Sequence, residues 1–177
     1  IDFTSLAFDK VRELIENDQV SNDRATQLAM LSNGNMHLAK EFVLNDFDKP
    51  LEEASRIVKS LTLLDENEWR NSINSFSMLA FRKPEEFVFK MSLVQMWISL
   101  ASKFKHNKKG ADFSNEYFDT FEKFNDKYPN ADFFEINNLF ESAILALNQN
   151  LYMPLFIIDM MISLQTLLKG EKPKIII

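Results

Sequence analysis

Chemistry in this chain would have to come from a short list of residues, beginning with two histidines, His37 and His106. Imidazole is a common general base and the commonest metal ligand near neutral pH. The two stand far apart in sequence, and neither has a Glu three residues before it, so the Glu-x-x-His pattern of di-iron bundles is missing. No His-Glu-x-x-His run offers a zinc site. Both are read as structural or surface histidines. With no Cys in the chain, thiolate metal sites, disulfides and Cys nucleophiles are excluded. Serines are plentiful, but no Gly-x-Ser-x-Gly turn presents one as a nucleophile.

Other groups have equally plain readings. Asn33-Gly34-Asn35 is a glycine turn, yet a phosphate loop needs Gly-x-x-x-x-Gly-Lys-Ser/Thr, so that several backbone amides converge on the phosphates. The turn is expected to end one helix and start the next. Acids gather at Asp65, Glu66 and Glu68 and again at Glu85 and Glu86. Paired carboxylates do acid–base work only where a cleft drives their pKa values apart. Both groups fall at expected helix starts, where negative charge suits the helix dipole. Lys103, Lys105, Lys108 and Lys109 form a basic run, expected to be a solvated helix end. No catalytic residue, cofactor-binding residue or metal ligand is therefore expected.

The elements that must position these groups are helices. The chain has 177 residues, 46% of them hydrophobic, enough for a real core. Three Gly and five Pro are few for an all-β protein, which needs many turns. Seventeen Phe and eight Met suit irregular helix–helix interfaces. A net charge of −6 argues against a broad phosphate-binding face. No apolar run of membrane-spanning length occurs. The start, Ile1-Asp2-Phe3, has neither an initiator Met nor a signal pattern, and is read as the start of a piece cut from a longer protein.

Apolar residues recur at intervals of three and four. Phe8, Val11, Leu14 and Ile15 mark a first stripe; Ala25, Leu28, Ala29 and Leu31 a second, after N-cap candidates Ser21, Asn22 and Asp23; Met36, Ala39, Phe42 and Val43 a third. Residues 45–50 are a polar break, placed here as a domain boundary, with 1–47 before it and 48–177 after. Pro50 suits a first helical turn leading to Ile57, Val58, Leu61 and Leu64. Asp65 precedes a stripe of Trp69, Ile73, Phe76 and Ala80, and Pro84 opens one of Phe87, Met91, Val94, Ile98, Ala101 and Phe104. Phe113, Tyr117, Phe121, Phe124 and Tyr128 mark an aromatic face before the break at Pro129-Asn130. Phe133, Ile136, Phe140, Ala143 and Leu147 follow, then a last helix from about Pro154 to Lys169 with Leu155, Ile158, Met161, Ile162 and Leu168, ended by Gly170. The tail with Ile175, Ile176 and Ile177 is expected to be partly disordered or to pack its Ile on something. No fixed internal repeat is evident. The expected fold is all-α: a small three-helix subdomain, then a bundle of five to six helices.

Two stretches resemble a known family. Residues 10–44, and within them the run from Val20 to Ala39 through Ser32-Asn33-Gly34-Asn35, resemble the lid subdomain of an AAA+ clamp-loader subunit. The run Asn138-Leu139-Phe140-Glu141-Ser142-Ala143-Ile144-Leu145-Ala146-Leu147-Asn148-Gln149-Asn150, followed by Leu155-Phe156-Ile157-Ile158-Asp159-Met160, is similar to the last two helices of the family's collar domain. Residues 51–128 match only as a helical pattern. The resemblance implies the C-terminal lid and collar of a bacterial DNA polymerase III clamp-loader subunit, of the delta-prime kind. In ATP-binding relatives an Arg three residues after the turn glycine senses nucleotide; here that position holds His37. The resemblance further implies a cytoplasmic protein that uses no cofactor. Its partners would be the other loader subunits, met through the collar, with no membrane contact and at most weak direct contact with DNA. The partner interface it suggests comprises Phe140, Ile144, Leu155, Phe156 and Met160.

Other readings remain. The chain could belong to the delta subunit or to the ATPase gamma/tau subunit, although His37 speaks against the latter. From a different class, it could be a helical bundle binding a small molecule, or an unfamiliar enzyme; a deep closed pocket lined by Phe would favour these. A direct DNA binder would show steep salt dependence.

Overall fold

The computed structural model describes residues 8–15, 25, 28–29, 32, 36–44, 48–62, 65–106, 115–149 and 151–173. Among them are eight α-helices and one 3-10 turn, and no strand, so the fold is all-α. The helices are α1 (Phe8–Ile15), α2 (Met36–Leu44), α3 (Asp48–Thr62), α4 (Glu66–Arg82), α5 (Pro84–His106), α6 (Asn115–Lys127), α7 (Phe133–Ala146) and α8 (Met153–Leu168), with the 3-10 turn at Leu147–Gln149. The chain divides into two compact units, residues 1–53 and 54–177. The division falls inside α3 rather than at the polar break, whose residues 48–50 are already helical.

In the first unit α1 packs on α2. Val11 and Ile15 of α1 and Ala39 and Phe42 of α2 are buried. Ala25, Leu28, Ala29 and Ser32 are helical and buried too, at the three- and four-residue spacing that puts them on one helical face. The Ser32 hydroxyl donates to the Ala29 carbonyl at 3.0 Å. The expected caps at 21–23, Leu31 and the Asn33-Gly34-Asn35 turn lie outside the described residues.

The second unit is built on four helices. α4 packs on α5 and α8, and α7 also packs on α5 and α8, which closes a ring of four. Neighbours in the ring run antiparallel. Lys83 alone joins α4 to α5, and Phe76 meets Phe87 edge-on with ring centroids 6.4 Å apart. Gln95 and Ser99 of α5 bond to Asn137 of α7, while Lys105 at the end of α5 reaches Pro129, just before α7. The Asp132 amide at the head of α7 donates to the Leu167 carbonyl at the tail of α8. An up-down four-helix bundle follows from these contacts.

α5 is the central element. Its ten buried residues, from Phe87 to Phe104, lie on more than one face, as expected of a helix surrounded by others. α6 packs against α5 and supplies an aromatic cluster. The Trp97 ring lies 5.1 Å from Phe121 and 4.8 Å from Phe124, and Phe124 in turn meets Tyr128 and Phe133.

Local chemistry sets the element ends. Asp65 caps α4: one carboxylate oxygen accepts from the amides of Asn67 and Glu68, both at 3.0 Å. Asp132 caps α7 through the Glu135 amide. Gly170 takes a φ of 76° after α8. Its amide donates to the Leu167 carbonyl and the Glu171 amide to the Thr166 carbonyl, the paired bonds of a Schellman motif.

Candidate functional site

Among the described residues, the groups singled out from the sequence are scattered over the helices, and several of them hold helix ends. His106 is the exposed last residue of α5, and His37 lies in α2, its side chain outside the described residues. Asp65 is a helix cap, and Glu68 is exposed in the first turn that Asp65 caps. Glu85 and Glu86 begin α5, as the dipole argument predicts. Glu86 pairs with Lys83 at 3.1 Å and with Lys90 at 3.5 Å. The hydrogen bond from Lys83 leads the effects that hold its carboxyl below the ordinary value, the opposite of what a general acid at neutral pH needs. Among the described residues no group of three or more His, Asp and Glu is placed to hold a metal ion. No helix among them is long and apolar enough to cross a membrane.

Part of the basic run is structural. The Lys105 ammonium donates to the Pro129 carbonyl at 2.5 Å and lies 5.4 Å from the centre of the Phe133 ring. Lys103 is exposed, and Lys108 and Lys109 fall outside the described residues. The aromatic face of α6 is likewise turned inward where it is described: Phe121 is buried and Phe124 half-buried, while Phe113 and the Tyr117 side chain are not described. The Tyr128 hydroxyl donates to the Thr62 carbonyl at 3.3 Å, and the Gln165 amide to the Leu61 carbonyl at 3.1 Å. These two bonds satisfy carbonyls that the end of α3 leaves open. Asn125 donates to the Ala101 carbonyl, but its carbonyl oxygen and the Trp97 indole nitrogen are buried with no partner among the described residues.

What the described surface offers instead is apolar. Leu155, Ile158 and Ile162 are exposed along α8, and Leu151 and Tyr152 are exposed just before it. Met78 and Phe81 at the end of α4 and Leu145 at the end of α7 are exposed too, at the end of the bundle where α8 begins. Phe81 is 85% exposed and Tyr152 75%, far beyond an edge of core packing. Asp159 is the one ionisable residue in α8.

This distribution corrects the interface expected from sequence. Phe140 and Met160 are buried in the core of the second unit and have no surface to give a partner. Ile144 and Phe156 are half-buried, and Leu155 stands out at 63% exposed. The stripe read along the last helix, Leu155, Ile158, Met161, Ile162 and Leu168, is divided between two faces of α8. Ile157, Met160, Met161, Leu164, Leu167 and Leu168 face the core, whereas Leu155, Ile158 and Ile162 face out. α8 is apolar on nearly every side, so spacing alone does not single out the inner face. Neither a protein-family model, nor a curated protein, nor a solved structure matches this chain.

Proposed function

We propose that this chain is a non-catalytic assembly module, and more specifically the lid and collar of a bacterial DNA polymerase III clamp-loader subunit of the delta-prime kind. The observation that carries the assembly reading is the exposed, nearly uncharged face of α8, together with exposed Met78, Phe81 and Leu145 at the end of the bundle where α8 begins. Large apolar side chains left exposed along one helix face are the kind of surface that a protein partner covers. The clamp-loader reading is supported by the order of two sequence motifs, a helix–Gly–helix turn near residue 34 and the paired C-terminal helices. Two compact units, the larger a helical bundle, fit a small lid and a larger collar.

On this reading the bundle holds the loader together while other subunits open the sliding clamp on DNA. Its affinity would come from apolar side chains withdrawn from water, with Leu155 near the centre of the contact. His37 in place of the sensing Arg would leave nucleotide recognition to other parts of the assembly. The full-length protein, co-expressed with the remaining loader subunits, is expected to co-purify with them, and Leu155→Lys is expected to weaken that association. A full-length protein that elutes free of the others would remove the loader reading.

A further inference from the structure

α6 is placed differently from the helices of the ring. It packs on α5 and stands outside the closed circuit of α4, α5, α7 and α8. Phe121, Phe124 and Asn125 lie on its inner side, while Asp119, Glu122, Lys123, Asp126 and Lys127 are exposed on the other. What it covers on α5 is aromatic. Trp97 and Phe104 are buried, and the Phe121 ring lies 5.1 Å from the first and 6.2 Å from the second.

The C-terminal end of α6 is anchored. Tyr128 bonds to the Thr62 carbonyl, Lys105 to the Pro129 carbonyl, and the Asp132 amide to the Leu167 carbonyl. The face between α6 and α5 is less settled. Trp97 Nε1 and Asn125 Oδ1, one from each helix, are buried with no hydrogen-bond partner among the described residues, although Asn125 Nδ2 donates to the Ala101 carbonyl at 3.0 Å. A donor and an acceptor withdrawn from water and left unpaired oppose the apolar burial that holds the two helices together. Both regain water when α6 moves off α5.

We propose that α6 is a strap that lifts from α5 as a unit, turning about its anchored end at Tyr128, while the four-helix ring stays folded. In the lifted form α5 keeps its packing on α4 and α7 and uncovers Trp97 and Phe104. A helix that buries one face on one neighbour exposes only a fraction of the area that global unfolding exposes, so it opens at a lower free energy. The unpaired Trp97 and Asn125 atoms lower that free energy further. The strap uses none of the residues that carry the assembly reading, and the two stand or fall separately.

The test is native-state amide hydrogen exchange of the 177-residue chain at rising urea concentrations below its unfolding transition. The amides of residues 121–127 are expected to exchange together, about a hundredfold faster than those in the middle of α5 and α7. Their dependence on urea should be shallow, because little surface is exposed, and should join that of the ring only near the transition. Asn125→Leu removes the unpaired oxygen and should slow exchange in α6 about tenfold, leaving α7 and α8 unchanged. Exchange of α6 at the rate and urea dependence of α5 would overturn the proposal. So would an Asn125→Leu chain in which α6 exchanges no slower, or in which α6 and α7 slow alike. Should that variant fold poorly, the amides of the parent chain decide the matter by themselves.

Discussion

Phe140 and Leu155 are large apolar residues on adjacent helices, α7 and α8, and the bundle treats them oppositely. Phe140 has no exposed surface, whereas Leu155 is 63% exposed. Truncating a buried Phe removes its transfer free energy and leaves a cavity, a loss of about 3–5 kcal/mol. Phe140→Ala should therefore shift urea unfolding strongly, while Leu155→Ala, measured on monomer, should stay within about 0.5 kcal/mol of the parent. Similar losses at the two positions would show that the two side chains are equally buried. Among the polar groups with a visible role, Asp65, Tyr128 and Gln165 each satisfy a backbone group that a helix end leaves open. Their work is structural, consistent with a chain whose acids, amides and lysines are distributed among helix ends.

At the scale of the element, the end of α8 is the most tightly constrained feature. Gly170 combines a left-handed backbone with close packing, for a Cβ there would lie 2.5 Å from the Asn130 carbonyl oxygen. The turn before α7 is thus held against the end of α8, beside the bond from the Asp132 amide to the Leu167 carbonyl. Gly170→Ala is expected to cost about 1–3 kcal/mol for the backbone conformation, with the clash adding to it, and to lower the thermal midpoint. An unchanged midpoint would show that this turn can move aside freely. α5 illustrates a different constraint. Gln95 and Ser99 meet Asn137 on a helix otherwise rich in buried apolar residues, and these polar contacts favour one register of α5 on α7.

For the molecule as a whole, each compact unit has buried apolar residues of its own, and the second is a closed ring of antiparallel helices. A fragment of residues 48–177, which keeps all of α3, should unfold in one cooperative transition by circular dichroism. A gradual loss of helix would mean that the ring depends on the first unit. The sequence by itself determined that the chain is helical, where α4 and α5 start, and where α8 stops. Asp65, Pro84 and Gly170 act on neighbours a few residues away, so their effect is written in local order, whereas the cap that Asp132 gives α7 is added by the structure. It also brought out Phe133, Ile136, Phe140, Ala143 and Leu147 as one stripe, and the bundle buries the four that lie in α7, while Leu147, in the 3-10 turn, is half-buried. α8 is apolar on nearly every side: Leu155 and Ile157, or Ile158 and Met160, are equally apolar candidates for the core. Only the tertiary structure, by packing α4 and α7 against one side, decided that Leu155, Ile158 and Ile162 remain outside. The physical reason is that burial is a property of neighbours in space, and an almost uniformly apolar helix carries no local signal of where those neighbours will be.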